Sequence, residues 1–163
     1  DSYTIPMALE NHRRAQTQPN FAIRTVHGGQ ATGRLTGGNL CMVSALAGTP
    51  YAADFREHIL FLEEINEVPY RIDRMLCQLD LSVGFNKAAA LMLGIFEHCE
   101  AAEGDTALSL DATVDQHLQP LRVPAVSGYS FGHIRHQFTL PMGILATLDA
   151  DRQTLTLLEP AVC

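Results

Sequence analysis

The stretch Ile59-Leu60-Phe61-Leu62-Glu63-Glu64 joins four consecutive apolar residues to two carboxylates. A short apolar run bounded by charge is typical of a strand that is buried on both faces. Because open α/β sheets place their sites at the carboxyl ends of their strands, the two acids are candidate site residues. Neighbouring strand residues point to opposite faces, so only one of Glu63 and Glu64 can face a given site. A solvated pair of strand-end carboxylates is an equally good interpretation of the pattern.

Two helices are predicted on either side of this strand. Pro69 suits a first helical turn, and apolar residues then recur at helical spacing, at Ile72, Met75, Leu76 and Leu79. Upstream, a glycine pair and Asn39 precede apolar residues at Leu40, Val43 and Leu46. This pattern predicts a short helix that is capped by Asn39 and ends at Gly48.

The rest of the chain alternates strands and helices. Ala88 to Phe96 predicts a second buried strand, and Ser109 is a candidate cap for a helix marked by Leu110, Val114 and Leu118. Residues 144–148 and 154–158 flank a polar turn and predict a β-hairpin. Strand and helix alternation predicts an α/β domain whose sheet is partly parallel.

The first part of the chain has a different character. Residues 1–30 are polar, contain Pro6 and Pro19, and show no sustained periodicity. We therefore expect residues 1–30 to be an interdomain linker or arm, and residues 31–163 to form the ordered domain.

Composition narrows the classes of function. A chain of 163 residues is long enough for one hydrophobic core. Its net charge of -7 argues against a nucleic-acid binder or a protein that binds anionic membranes. No apolar run approaches the roughly 20 residues that a membrane-spanning helix needs. The four cysteines, Cys41, Cys77, Cys99 and Cys163, show neither a zinc-ribbon nor a thioredoxin-type spacing.

Gly128-Tyr129-Ser130-Phe131-Gly132 matches the G-x-S-x-G nucleophile elbow of α/β-hydrolases. That fold needs its histidine downstream of the acid, and no histidine follows His136. It also needs a helix after the serine, and residues 133–141 do not read as a capped amphipathic helix. We therefore interpret Ser130 as a residue other than the nucleophile.

Other polar residues have weaker patterns. His133 and His136 form an H-x-x-H pair that Glu97 or His98 could complete as a metal site, but nothing sets the spacing of a third ligand. Most of the seven histidines are best interpreted as ordinary solvated or core side chains. Arg71, Asp73 and Arg74 are consistent with a surface salt-bridge row, which contributes little.

A further set of segments is distinctive in its order and spacing between about Gly33 and Glu159. They are Gly33-Arg34-Leu35-Thr36-Gly37-Gly38-Asn39-Leu40, Gly48-Thr49-Pro50-Tyr51, Ile59-Leu60-Phe61-Leu62-Glu63-Glu64, Pro69-Tyr70-Arg71-Ile72-Asp73-Arg74-Met75-Leu76 and Phe131-Gly132-His133. In this order they resemble the C-terminal domain of the LD-carboxypeptidases, the muramoyl-tetrapeptide carboxypeptidases. The resemblance implies a swivelling β/β/α-like domain, with a small parallel sheet, an antiparallel sheet and helices.

The resemblance also implies a site. The family's enzymes are serine peptidases with a Ser-Glu-His triad, in which Glu63 would be the carboxylate and His133 the histidine. The serine normally stands on an N-terminal nucleophile domain, so we expect no nucleophile within this chain and no activity from it alone. The implied substrate is the murein tetrapeptide, which loses its terminal D-alanine during cytoplasmic recycling of the cell wall. The resemblance implies no metal or organic cofactor, and we expect a homodimer.

Two alternatives remain open on the sequence. One is a relative of the microcin immunity peptidases, which share the fold and triad but cleave a peptidyl-nucleotide antibiotic. The other is a non-enzymatic interaction domain, which the lack of a nucleophile serine would favour. A Gly-x-Ser-Asp turn upstream of Asp1 in the same polypeptide would favour the enzyme.

Overall fold

The computed structural model describes residues 2–7, 22–104, 106 and 108–162. Within these residues the strands are β1 (Tyr3–Ile5), β2 (Arg24–His27), β3 (Gln30–Asn39), β4 (His58–Ile65), β5 (Ala90–Glu97), β6 (Ala125–Ser127), β7 (Leu145–Asp149) and β8 (Thr154–Leu157). The α-helices are α1 (Leu40–Ala45), α2 (Pro69–Ser82) and α3 (Leu110–Leu118), and a 3-10 turn covers Phe85–Lys87. The strands, helices and hairpin predicted from local patterns are all present.

The described strands form one eight-stranded mixed sheet in the order β1-β8-β7-β3-β4-β5-β6-β2. The four strands from β3 to β6 run parallel to one another, whereas β7 runs antiparallel to β3. The predicted α/β class, with parallel strands, antiparallel strands and helices, is confirmed. The parallel and antiparallel parts are joined in a single, partly parallel sheet, whereas the family resemblance implied two sheets.

The long strand β3 joins the two parts. Its residues Gln30 to Arg34 pair with β7, and its residues Arg34 to Asn39 pair with β4. The sequence predicts no strand here and shows only the glycine pair before the helix that Asn39 caps, because Gly33 and Gly37 interrupt any strand pattern. A Cβ at Gly37 would lie 1.8 Å from the carbonyl oxygen of Phe61 on β4. Glycine at position 37 therefore allows close approach of the neighbouring strand.

Parts of the predicted arm belong to the sheet. β1 pairs with β8 and β2 pairs with β6, so both edges of the sheet come from residues 1–30. Short strands at the edges bury few side chains, which is why no period reveals them. Residues 8–21 of the predicted arm lie outside the described residues.

Alternate residues of β4 enter the cores on the two faces of the sheet. Leu60 and Leu62 pack with the helices, whereas Ile59 and Phe61 pack on the opposite face. The same alternation carries Glu63 to the face of Phe61 and Glu64 to the helix face.

No helix of the described residues has the length and apolar character of a membrane-spanning helix.

Candidate active site

Glu63 lies near the carboxyl end of β4 and is almost entirely buried, with a relative exposure of 8%. Its main chain pairs with Asn39 at the end of β3. Because Glu63 is in the strand and not in a loop, its carboxylate is held by a rigid element. The interpretation of Glu63 and Glu64 as a solvated pair is wrong, since both side chains are buried.

His133 lies in the irregular segment that follows β6. Tyr129 N–H donates to the carbonyl of Leu93, and Ile95 N–H donates to the carbonyl of Phe131, so this segment runs along the end of β5. Gly132 has φ +123°, and a Cβ there would lie 3.0 Å from Oε2 of Glu63. Glycine at position 132 therefore allows the backbone to pass close to the carboxylate and places the next residue beside it.

The two predicted site residues meet. Nδ1 of His133 lies 2.7 Å from Oε2 of Glu63. The imidazole side chain is 50% exposed, whereas that of Glu63 is 11% exposed. An ionised carboxylate only accepts hydrogen bonds, so Nδ1 is the protonated ring nitrogen and its N–H donates a hydrogen bond to Oε2. In the neutral ring Nε2 then has a free lone pair, which is the arrangement of a general base.

Both residues line an open cavity of about 450 Å³. Its walls are Gly38, Phe61, Glu63, Phe131, Gly132, His133, Gln137, Phe138, Thr139 and Leu140. The rings of Phe61 and Phe131 meet edge to face with centroids 5.8 Å apart. The cavity therefore combines an apolar wall with one acid–histidine pair, as expected for a small-molecule or peptide site.

Glu64 serves another part of the fold. Its carboxylate accepts hydrogen bonds from Asn39 Nδ2, the backbone N–H of Cys41 and the backbone N–H of Ile65, at 2.8, 2.8 and 2.9 Å. Asn39 in turn caps α1 through the N–H of Met42, as the sequence predicts. Glu64 thus ties β4 to the start of α1, a role that the sequence pattern did not reveal.

Ser130 is fully buried. Its N–H donates to the carbonyl of Met7 and its carbonyl accepts from Phe138 N–H. Residues 128–141 contain no helix, so the strand–serine–helix geometry of a nucleophile elbow is missing. The rejection of the G-x-S-x-G motif therefore agrees with the structure.

The remaining candidates do not join this site. Across the described ranges, no group of three His, Cys, Asp or Glu side chains is arranged to hold a metal ion. His98 lies 3.6 Å from Glu97 and is largely exposed. Asp73 accepts from Nε2 of His117 at 2.8 Å, so it links α2 to α3 and does not join a surface row with Arg71. Arg71 pairs instead with Glu67 at 3.3 Å.

Comparison with known proteins agrees with this geometry. Residues 32–148 match the LD-carboxypeptidase C-terminal domain. The chain belongs to the LD-carboxypeptidase family. It is similar to the C-terminal domain alone, as the resemblance of the sequence segments indicated, and that prediction is confirmed.

Individual relatives give the extent of the match. The probable murein peptide carboxypeptidase of Bacillus subtilis is 34% identical over 126 residues, which are 77% of this chain and 40% of that protein. The crystal structure of muramoyltetrapeptide carboxypeptidase from Oxalobacter formigenes superposes with a TM-score of 0.72 at 35% identity, over 93% of this chain and 54% of that one. The microcin C7 self-immunity protein MccF of Escherichia coli is 26% identical over 132 residues, 80% of this chain and 38% of that protein. This LD-carboxypeptidase domain thus spans about two fifths of the length of these two curated relatives.

Proposed function

We propose that this domain supplies the carboxylate and the histidine of a Ser-Glu-His triad in a serine-type LD-carboxypeptidase. The observation that carries the proposal is the 2.7 Å contact between Nδ1 of His133 and Oε2 of Glu63 at the wall of an open cavity. Glu63 is the triad acid and His133 the general base. The nucleophile is a serine on an N-terminal domain of the same protein.

The chemistry follows from the protonation of the ring. Nε2 of His133 takes the proton of the serine hydroxyl while the serine oxygen attacks the scissile carbonyl carbon. When the carbon–nitrogen bond breaks, the imidazolium returns that proton to the leaving amine. A water molecule then hydrolyses the acyl-enzyme by the same route. Glu63 keeps Nδ1 protonated and stabilises the positive charge on the ring in both steps.

The substrate is proposed from the relatives. The Bacillus subtilis protein is named as a murein peptide carboxypeptidase and the Oxalobacter formigenes protein as a muramoyltetrapeptide carboxypeptidase. We propose the murein tetrapeptide, with release of its terminal D-alanine. The cytoplasmic location and the homodimer that the resemblance implies stay predictions.

The test is an assay of the two-domain protein that contains this chain. Incubation with murein tetrapeptide should yield free D-alanine and the tripeptide in equal amounts, measured by mass spectrometry. The matched control replaces the nucleophile serine of the N-terminal domain by alanine and should abolish both products. If the pure, folded two-domain protein leaves the tetrapeptide uncleaved, the proposed substrate is wrong.

The second candidate is an immunity peptidase, which the similarity to MccF favours. The same preparation should then hydrolyse a peptidyl-nucleotide and leave the tetrapeptide intact. Parallel assays with both substrates therefore separate the two functions, because each predicts a different preferred substrate.

A further inference from the structure

Strand β5 carries one extra residue directly opposite Glu63. Leu62 pairs with Leu93, but Glu64 pairs with Phe96, so Glu63 faces two residues of β5, Gly94 and Ile95. Two residues opposing one is the definition of a β-bulge. Such bulges re-aim side chains next to functional sites.

The bulge changes which face the later residues of β5 occupy. Before it, Leu91 and Leu93 pack on the helix face of the sheet, and Met92 packs on the opposite face. After it, Phe96 joins the helix face, although regular alternation would send an even-numbered residue to the other side. Ile95 leaves both large cores and packs against Ile134, the residue that follows His133.

The segment that carries His133 attaches to this bulge. The carbonyl of Leu93 accepts from Tyr129, and the N–H of Ile95 donates to Phe131. Between them, a Cβ at Gly94 would lie 2.4 Å from the carbonyl oxygen of Phe131 and 2.6 Å from its ring. The absence of a side chain at position 94 therefore lets the Phe131 main chain lie directly on β5.

We propose that the bulge at Gly94 and Ile95 positions His133 against Glu63, with both bulge residues acting as positioning residues. The proposal rests on the proposed function, because it concerns the same acid–histidine pair. Gly94 sets how closely the segment approaches β5. Ile95 packs against Ile134, so the chain is held by β5 both before His133, at Phe131, and after it, at Ile134.

The Nδ1–Oε2 hydrogen bond is short, so a small shift of the segment that carries His133 should weaken it measurably. A shift of the Phe131 main chain away from β5 moves Gly132 and His133 with it. The Nδ1–Oε2 distance of 2.7 Å then lengthens, and the ring is no longer restricted to one tautomer.

The experiment uses 15N NMR on the 163-residue chain to measure which ring nitrogen of His133 carries the proton in the neutral imidazole. The unaltered chain should show a protonated Nδ1 and an unprotonated Nε2. Gly94→Ala should lose this signature and show a mixture of tautomers. Ile95→Val should shift the balance in the same direction to a smaller extent.

Ile72→Val is the matched control, because Ile72 is as buried as Ile95 but lies on α2 in the helix-face core. It should lower the melting temperature and leave the His133 signature unchanged. If Gly94→Ala does not fold, Ile95→Val against Ile72→Val decides the matter. An unaltered His133 signature in folded Gly94→Ala or, failing that, in folded Ile95→Val would overturn the proposal.

This readout separates the two proposals. It needs neither the nucleophile serine nor a substrate, so a negative peptidase assay would remove the proposed function and leave the positioning role standing. Conversely, an active two-domain enzyme whose His133 signature ignores the bulge would retain the function and lose the positioning role.

Discussion

Glu63 and Glu64 are neighbours on β4, and their carboxylates lie on opposite sides of the strand, where they accept hydrogen bonds from different partners. Glu63 accepts from His133 on the cavity side, whereas Glu64 accepts from Asn39 and two backbone N–H groups on the helix side. The pleat of the strand separates two roles that adjacent identical residues would otherwise share. Variants at the two positions should therefore fail in different ways.

Substitution of His133 by Ala should remove nearly all D-alanine release in the two-domain enzyme. We expect a loss on the order of 10³-fold or more, because a triad without its base cannot activate the serine. His136→Ala should reduce the rate of D-alanine release only slightly. Steady-state rates with tetrapeptide test this, and equal losses in both variants would indicate a shared structural role and contradict the assignment.

Glu63→Gln should keep the fold and lose most of the activity. The neutral amide is similar in shape, but it cannot stabilise the imidazolium that forms in the transition state, so a loss on the order of 10²- to 10⁴-fold is expected. The same variant should abolish the single-tautomer 15N signature of His133. A full rate in folded Glu63→Gln would show that another group serves the histidine.

Glu64→Gln should instead lower stability. At 2% exposure its carboxylate accepts three N–H donors, and an amide group in its place turns an N–H toward at least one of them. We expect a cost of about 1–3 kcal/mol in the free energy of unfolding, measured by urea denaturation. The folded variant should remain active.

Glu67→Gln is the control for Glu64→Gln. Its partner Arg71 lies at 3.3 Å on the surface, where an ion pair contributes about 0–1 kcal/mol. Equal stability of the Glu64 and Glu67 variants would contradict the role of Glu64 as the tie between β4 and α1.

The 163-residue chain by itself should not cleave tetrapeptide. We expect the nucleophile to lie on the N-terminal domain, and Ser130, the serine of the G-x-S-x-G motif, is fully buried. D-Alanine release by the pure chain, together with its loss in Ser130→Ala, would show that Ser130 is a nucleophile after all. The two-domain enzyme with the same Ser130→Ala substitution should retain its activity.

Cys99 should resist alkylation in the native protein. Burial raises the pKa of its thiol to about 11, so at pH 8 it remains protonated and unreactive. Cys41 and Cys77 are exposed and should react with iodoacetamide first. Peptide mapping with and without denaturant tests this, and native labelling of Cys99 as fast as that of Cys77 would refute it.

Much of the fold could be predicted because local pattern and burial coincide there. The apolar run of β4, the helical spacing of α2 and the cap at Ser109 are dictated by which side chains must leave water. β3 was not predicted because Gly37 is required by a contact with a residue that is remote in sequence. A side chain at position 37 would clash with the carbonyl of Phe61 on β4, and no local periodicity reveals such a contact.

The sequence by itself determined that Glu63 and Glu64 lie at the end of a buried strand and face opposite ways, because backbone pleating alone imposes this. The local pattern did not say which of them meets a histidine; the resemblance implied Glu63, and the tertiary structure places its carboxylate beside His133. His133 is 70 positions away on a segment without periodicity, and its place depends on the hydrogen bonds to β5 and on the space left by Gly94 and Gly132. Packing across the sheet, rather than any local preference, therefore assembles the pair.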